Sequence, residues 1–183
     1  SDLQKITSAD EKISTLEQSL FQELRNAIIV HTESIQSIAL AIAELDCLQS
    51  FASVSLKHQY VEPVIGEDTS LSIISGRHPV VERMLSPGNP FTPNDTICND
   101  SEQLHIITGP NMAGKSCYLR QVGLIVLLAQ IGCFVPAESA YIGIVDRIFT
   151  RVGAQDNISA GESTFLVEMQ EAANIMNNAT SRS

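Results

Sequence analysis

Eight consecutive residues constrain this chain more than any other feature: Gly109-Pro110-Asn111-Met112-Ala113-Gly114-Lys115-Ser116. They satisfy G-x-x-x-x-G-K-[ST] at every fixed position. Its glycines let the backbone curl so that successive N–H groups point inward, toward an anion. Before the loop, Leu104-His105-Ile106-Ile107-Thr108 is a short apolar run that predicts a strand. After it, Lys115–Ile131 predicts a helix whose positive dipole end faces the loop. Strand, loop and helix in that order form the setting in which such a pattern holds phosphate. Lys115 is placed to reach the β- and γ-phosphates of a nucleoside triphosphate. The Ser116 hydroxyl is placed to ligate Mg²⁺ between them. The expected ligand is ATP with Mg²⁺.

Phosphoryl transfer needs more than a cradle. Enzymes with such loops add an acid at the end of a second apolar strand to position the metal. Downstream of Ser116, no run of four or more apolar residues ends in Asp-Glu. Val145-Asp146 follows too little strand, and Asp156 and Glu162 fall in a predicted loop. The sequence therefore predicts a phosphate-loop sheet without its second core strand, and no catalytic residue is assigned to this chain.

The N-terminal part has a different texture. Apolar residues at Ile13, Leu16, Leu20, Leu24, Ile28, Ile35, Ile38, Ile42, Leu45 and Leu48 recur in steps of three and four. That period predicts one long amphipathic helix or two nearly continuous ones over 11–48, with Ser8 or Asp10 as the cap. Between Phe51 and Pro93, prolines and glycines punctuate short β-like runs at Tyr60–Ile65, Leu71–Ile74 and Val80–Met84. Tyr141–Val152 predicts one or two strands, and Ser163–Ala179 a closing helix. The expected division is a helical segment, 1–54, and a strand-rich segment carrying the loop, 55–183.

Composition narrows the partners. The chain has 183 residues and a formal net charge of −10. A surface this acidic binds nucleic acid poorly, because phosphate neutralisation needs clustered Lys and Arg. Cys47, Cys98, Cys117 and Cys133 form no Cys-x-x-Cys pair, and free thiols in a reducing cytoplasm are expected. No basic segment followed by an apolar run marks a signal peptide. The longest apolar run, Val122–Val135, falls short of the roughly 20 residues a bilayer requires. It predicts a buried helix, and no membrane role is expected.

Thr108-Gly-Pro-Asn-Met-Ala-Gly-Lys-Ser116, continuing Cys117-Tyr-Leu-Arg-Gln121, closely resembles the phosphate loop of the MutS family of DNA mismatch-repair ATPases, bacterial type. Gly76-Arg-His-Pro-Val80, Ala129-Gln-Ile-Gly-Cys-Phe-Val-Pro-Ala137, Asp146–Gly153 and Ser163–Met169 resemble further signatures of that family. The likeness is dense over 76–180 and thinner over 1–75. It implies a partial α/β P-loop NTPase, with an ABC-ATPase-like sheet and flanking helices, preceded by a long helical lever and core segment. It implies mismatched double-stranded DNA as a partner through domains outside this chain. It also implies a homodimer through the ATPase domain, and downstream mismatch-repair factors.

Carried over residue by residue, the nucleotide-binding set is Gly109, Pro110, Asn111, Met112, Ala113, Gly114, Lys115, Ser116 and Cys117. Phe91 matches the position of an adenine-stacking aromatic. Ser163 matches a signature-loop serine that reaches the partner subunit's γ-phosphate. Glu162 beside it departs from the family pattern, in which many members have a basic or neutral residue; an acid beside a γ-phosphate is repulsive, so Glu162 is expected to point away. His78 reads as structural rather than catalytic. Two rival readings stand beside this one. A transporter- or chromosome-maintenance-type P-loop ATPase would carry a Leu-Ser-Gly-Gly-Gln-like motif, and the chain has none. A nucleotide-binding module without turnover is the second.

Overall fold

The computed structural model describes residues 2–86, 88–151 and 164–183, with side chains from Lys12 onward and, in the last segment, from Phe165. It is a mixed helix–sheet structure that separates into two compact units, residues 1–49 and 50–183. In the first unit, α1 (Asp2–Ile29) is followed after two residues by α2 (Thr32–His58), whose last turns belong to the second unit. Of the two expected forms, one long helix or two nearly continuous ones over 11–48, the second is found, and it extends further at both ends. Because α1 begins at Asp2, Ser8 and Asp10 lie inside it rather than at its cap. The periodic apolar side chains of this unit, from Ile13 to Leu48, are exposed. By length and composition alone, α2 is apolar enough to cross a membrane. Its longest unbroken apolar run is 38–43, bounded by Ser37 and Glu44.

The second unit holds a four-stranded sheet. Its strands are β1 (Val64–Gly66), β2 (Leu71–Gly76), β3 (Asn94–Cys98) and β4 (Ser139–Gly143), in the order β1-β4-β2-β3. β1 runs parallel to β4, and β2 runs antiparallel to both β4 and β3. Against this sheet lies α4 (Lys115–Gln130). Its buried residues, Gln121, Ile125, Val126 and Ala129, fall at the spacing of one helical face. Ile125, Val126 and Ala129 join Ile73, Val135, Ala137, Ala140 and Ile142 in one apolar cluster. This burial fixes the helix on the sheet. The closing helix α5 spans Thr164–Asn178.

Two expected strands are corrected. Val80–Met84 is instead a short helix, α3 (Val81–Met84). Leu104–Thr108 has no regular structure, and Leu104 and Ile106 are 81% and 82% exposed. A strand exists by exchanging backbone hydrogen bonds with a neighbour. Among the described residues, none is paired with this segment. Of the described residues in the expected strand region Tyr141–Val152, the first three belong to a strand, β4, and the rest to none.

One irregularity shapes the region near α4. In the β2–β3 pair, Ile73 faces Thr96 but Gly76 faces Asn94, so Ile74 and Ser75 together oppose Asp95. This β-bulge leaves Ser75 at φ +52°. Ser75 N–H donates to Asp95 Oδ1 at 2.7 Å, and its hydroxyl donates to Glu138 Oε2 at 3.0 Å. These two bonds hold a non-glycine residue in a left-handed conformation that otherwise costs free energy.

Just past the bulge, Arg77 Nη2 donates to the carbonyls of His58 and Gln59, 3.1 Å each, at the end of α2. A guanidinium on the last carbonyls satisfies their acceptors and opposes the negative end of the helix dipole. Ile125→Ala should cost about 2–5 kcal/mol, because it opens a cavity where the helix meets the sheet. Urea unfolding of the 183-residue chain measures this.

Candidate nucleotide site

The loop Gly109–Ser116 connects the unpaired segment 104–108 to α4. Gly114 sits at φ +87°, a left-handed conformation open to glycine at little cost, and is the N-cap of α4. No side chain caps this helix, so its first N–H groups are not claimed by a local side-chain oxygen. Met112 lies at φ +64° with its side chain fully exposed. Ala113 N–H donates weakly to the Pro110 carbonyl at 3.4 Å. Lys115 folds back into the loop, and its Nζ donates to the carbonyls of Gly109 at 2.6 Å and Pro110 at 2.7 Å. The ammonium is therefore held at the loop itself rather than released to solvent.

A cleft of 660 Å³ opens beside the loop. One wall is the segment Asn89–Thr92 together with Asn94 and Asp95. The other is Ala113, Gly114, Lys115, Cys117 and Tyr118. Ile107 and Thr108 also line it. The walls are tied by the Tyr118 hydroxyl, which pairs with Thr96 Oγ1 at 2.8 Å and lies 3.4 Å from the Asp95 carbonyl. Phe91 and Lys115, 24 residues apart in sequence, thus line one recess.

Of the expected set, Phe91, Ala113, Gly114, Lys115 and Cys117 line this cleft. Gly109, Pro110, Asn111, Met112 and Ser116 do not, and all five are exposed. Ser163 and Glu162 lie outside the described residues. The reading of the sequence missed Asp95, Asn94 and Tyr118. Tyr118 carried a usable signal, because it stands one helical turn after Gly114 and so beside the loop.

All four cysteines are free thiols. Cys98 Sγ stands 3.8 Å from His105 Nε2, but burial and the nearby Glu102 carboxylate push its thiol up, away from the reactive thiolate. Burial likewise pushes up Cys133. A second recess, 440 Å³ beside Ser70 and Cys98, has no Lys, Arg or His among its described lining residues. It offers a phosphate no cation.

His78 is buried, and its Nδ1 accepts from the N–H groups of Val80 at 3.2 Å and Val81 at 3.3 Å. The imidazole caps the first turn of α3 and does not line the cleft. Burial pushes its pKa below the ordinary 6.5, and Arg120 pushes the same way against the His78 backbone hydrogen bond. Protonation at Nδ1 would set a proton against two N–H donors.

Because the folded pKa is lowered, the stabilisation is complete above pH 6.5 and is lost as pH falls through the folded value. His78→Ala should cost about 1 kcal/mol at pH 8, the usual cost of a lost cap. The gap between variant and parent should close as pH drops below 6.5. Urea midpoints measured across that interval check both the size and the sign.

Residues 105–183 match the family described as MutS domain V. Over 180 residues, 98% of the chain, it is 63% identical to the DNA mismatch repair protein MutS of Chlorobaculum tepidum. Over 181 residues it is 62% identical to that of Salinibacter ruber and 56% identical to that of Parabacteroides distasonis. The chain spans about a fifth of the length of these relatives (20%, 20% and 21%).

Proposed function

We infer that this chain is a segment of a MutS-family DNA mismatch repair protein, and that its loop Gly109–Ser116 binds ATP with Mg²⁺. The likeness to MutS proteins along 98% of the chain supports the first half. The observation that carries the second is the single cleft lined by both Lys115 and Phe91. A polyphosphate needs a cation and free N–H groups at one end. An adenine needs an aromatic face and apolar surface at the other. The cleft offers both, and its 660 Å³ falls within the range of small-molecule sites.

In this reading the triphosphate enters the loop, and Lys115 exchanges the carbonyls of Gly109 and Pro110 for phosphate oxygens. The N–H groups of Gly114, Lys115, Ser116 and Cys117, with those of Gly109, Asn111, Met112 and Ala113, line the phosphate path; Pro110 has none to offer. Asn111 adds a side-chain contact. Phe91 stacks on the adenine from the wall that follows Asn89. The Ser116 hydroxyl would hold Mg²⁺. One hydroxyl suits a metal that takes most of its ligands from water and phosphate. The metal would neutralise charge on the bound triphosphate. In the intact assembly, Ser163 reaches across to the partner subunit's nucleotide.

The chain is assigned binding without rapid turnover. Asp95 is the single carboxylate among the described residues lining the cleft, and it accepts the Ser75 N–H. Residues 1–54 are read as lever and core segment, and 55–183 as the first part of a P-loop ATPase domain. Hydrolysis, mismatched-DNA recognition, dimerisation through the ATPase domain and contact with downstream repair factors belong to the whole cytoplasmic protein. The charge of −10 leaves DNA contact to other parts of it.

Titration with a fluorescent ATP analogue should give saturable binding that Mg²⁺ tightens. Lys115→Ala should weaken it at least about tenfold, the scale of one strong charged contact. Absence of binding by the parent chain would overturn the reading. Steady hydrolysis that Lys115→Ala abolishes would overturn the assignment of binding without turnover.

A further inference from the structure

Gln121 is the anomaly of the second unit. It lies on the buried face of α4, wholly inaccessible to solvent, yet neither Oε1 nor Nε2 has a hydrogen-bond partner among the described residues. Buried amides are almost always paired, because an unmade bond forfeits hydration without return. An apolar residue of similar size would continue the face formed by Ile125, Val126 and Ala129. Helix packing alone therefore does not account for a glutamine here.

The space it faces is specific. A Cβ placed on Gly76 would lie 2.8 Å from Gln121 Nε2 and 3.1 Å from the Asn94 carbonyl oxygen. Amide and carbonyl thus flank one small gap, kept open because position 76 has no side chain. Gly76 closes the bulge opposite Asp95, and Asn94 and Asp95 form one wall of the cleft. Gln121 is on the helix that forms the other wall, three residues beyond Tyr118 and six beyond Lys115. A carbonyl oxygen has two lone pairs, so Asn94 can accept a second donor while paired in the sheet.

Building on the ATP site above, we propose that Gln121 is a positioning residue that latches the cleft. When nucleotide fills the cleft, the Gln121 side chain turns and its Nε2 donates across the gap over Gly76 to the Asn94 carbonyl. The hydrogen bond unmade without nucleotide is gained with it. That difference is what lets a ligand favour one arrangement over the other. The latch fixes the phosphate-loop helix against the strand that follows Phe91, so phosphate and adenine contacts are made together.

The test uses the 183-residue chain, a fluorescent ATP analogue and thermal unfolding. Gln121→Leu keeps the volume and removes the polar atoms. It should weaken nucleotide binding about tenfold while leaving the melting temperature equal or higher. Gly76→Ala fills the gap, clashing with Nε2 and Ile73 Cγ2, and should weaken binding to a similar degree. Added to Gln121→Leu it should cost little further affinity, as expected of two changes to one interaction.

In the isotope-labelled parent, the side-chain amide signal absent from Gln121→Leu should shift on adding ATP. Equal affinity for Gln121→Leu and parent, or an unmoved amide signal, would overturn the latch and leave the ATP site standing. Affinity lost in step with melting temperature would reduce Gln121 to a packing role. A parent chain that binds no nucleotide would overturn the site reading and the latch together.

Discussion

The contact on which this structure depends is that between one face of α4 and the sheet. Ile125 is wholly buried there, with Val126 and Ala129 beside it. A buried isoleucine or valine contributes about 1.5–3 kcal/mol when removed from water, and the Ala129 methyl less. The loop ahead of the helix has no comparable anchor. Its residues from Gly109 to Gly114 are exposed, and its internal bonds are one weak turn contact and the two from Lys115. The loop is placed by the helix that follows it, and the helix by a core more than two turns downstream. The position of Lys115 is therefore a property of the packed unit.

That arrangement also bears on what the loop can do for an anion. Lys115 is bound to two carbonyls of its own loop. Bonds from a charged donor contribute about 1.5–3 kcal/mol in favourable settings, less when solvent competes, as it does around a half-buried lysine. A phosphate must replace these contacts, so the net gain at Lys115 is smaller than a bare ammonium would suggest. In return the side chain is already confined near the loop, and less rotamer entropy remains to be lost on binding.

How much of this was legible in the sequence varies by element. α4 was legible from its place after the phosphate loop and α5 from the helical spacing of its apolar residues, each to within a few residues. β3 was missed, since Asn94-Asp95-Thr96-Ile97-Cys98 opens with two residues that strands disfavour. Pairing with β2 makes it a strand. Val80–Met84 is too short for its period to separate helix from strand, and the His78 cap decides for helix. In Leu104–Thr108 the composition is β-like, but composition supplies no partner. Phe91 and Lys115 could be named from sequence, yet their sharing a cleft could not. It rests on the fold, in which the Tyr118 hydroxyl ties α4 to β3 at Thr96. Gln121 looked like an ordinary helix former, and burial alone makes it unusual.

On the proposed reading of the cleft, holding a nucleotide and cleaving it are separable tasks. Holding requires N–H groups, a cation and an apolar face, all of which α4, its loop and the Asn89–Thr92 segment bring together. Cleavage requires a carboxylate or amide free to orient water or metal at the transferred phosphate. Asp95 is near enough to line the recess, but its carboxylate is engaged by the strained Ser75 backbone. Releasing it for catalysis would remove a bond that holds Ser75 in a left-handed conformation, and with it support for the bulge beside Gly76. A group on which the cleft wall depends is poorly suited to move during a reaction. On these grounds the acid that completes the chemistry is better supplied from outside this wall.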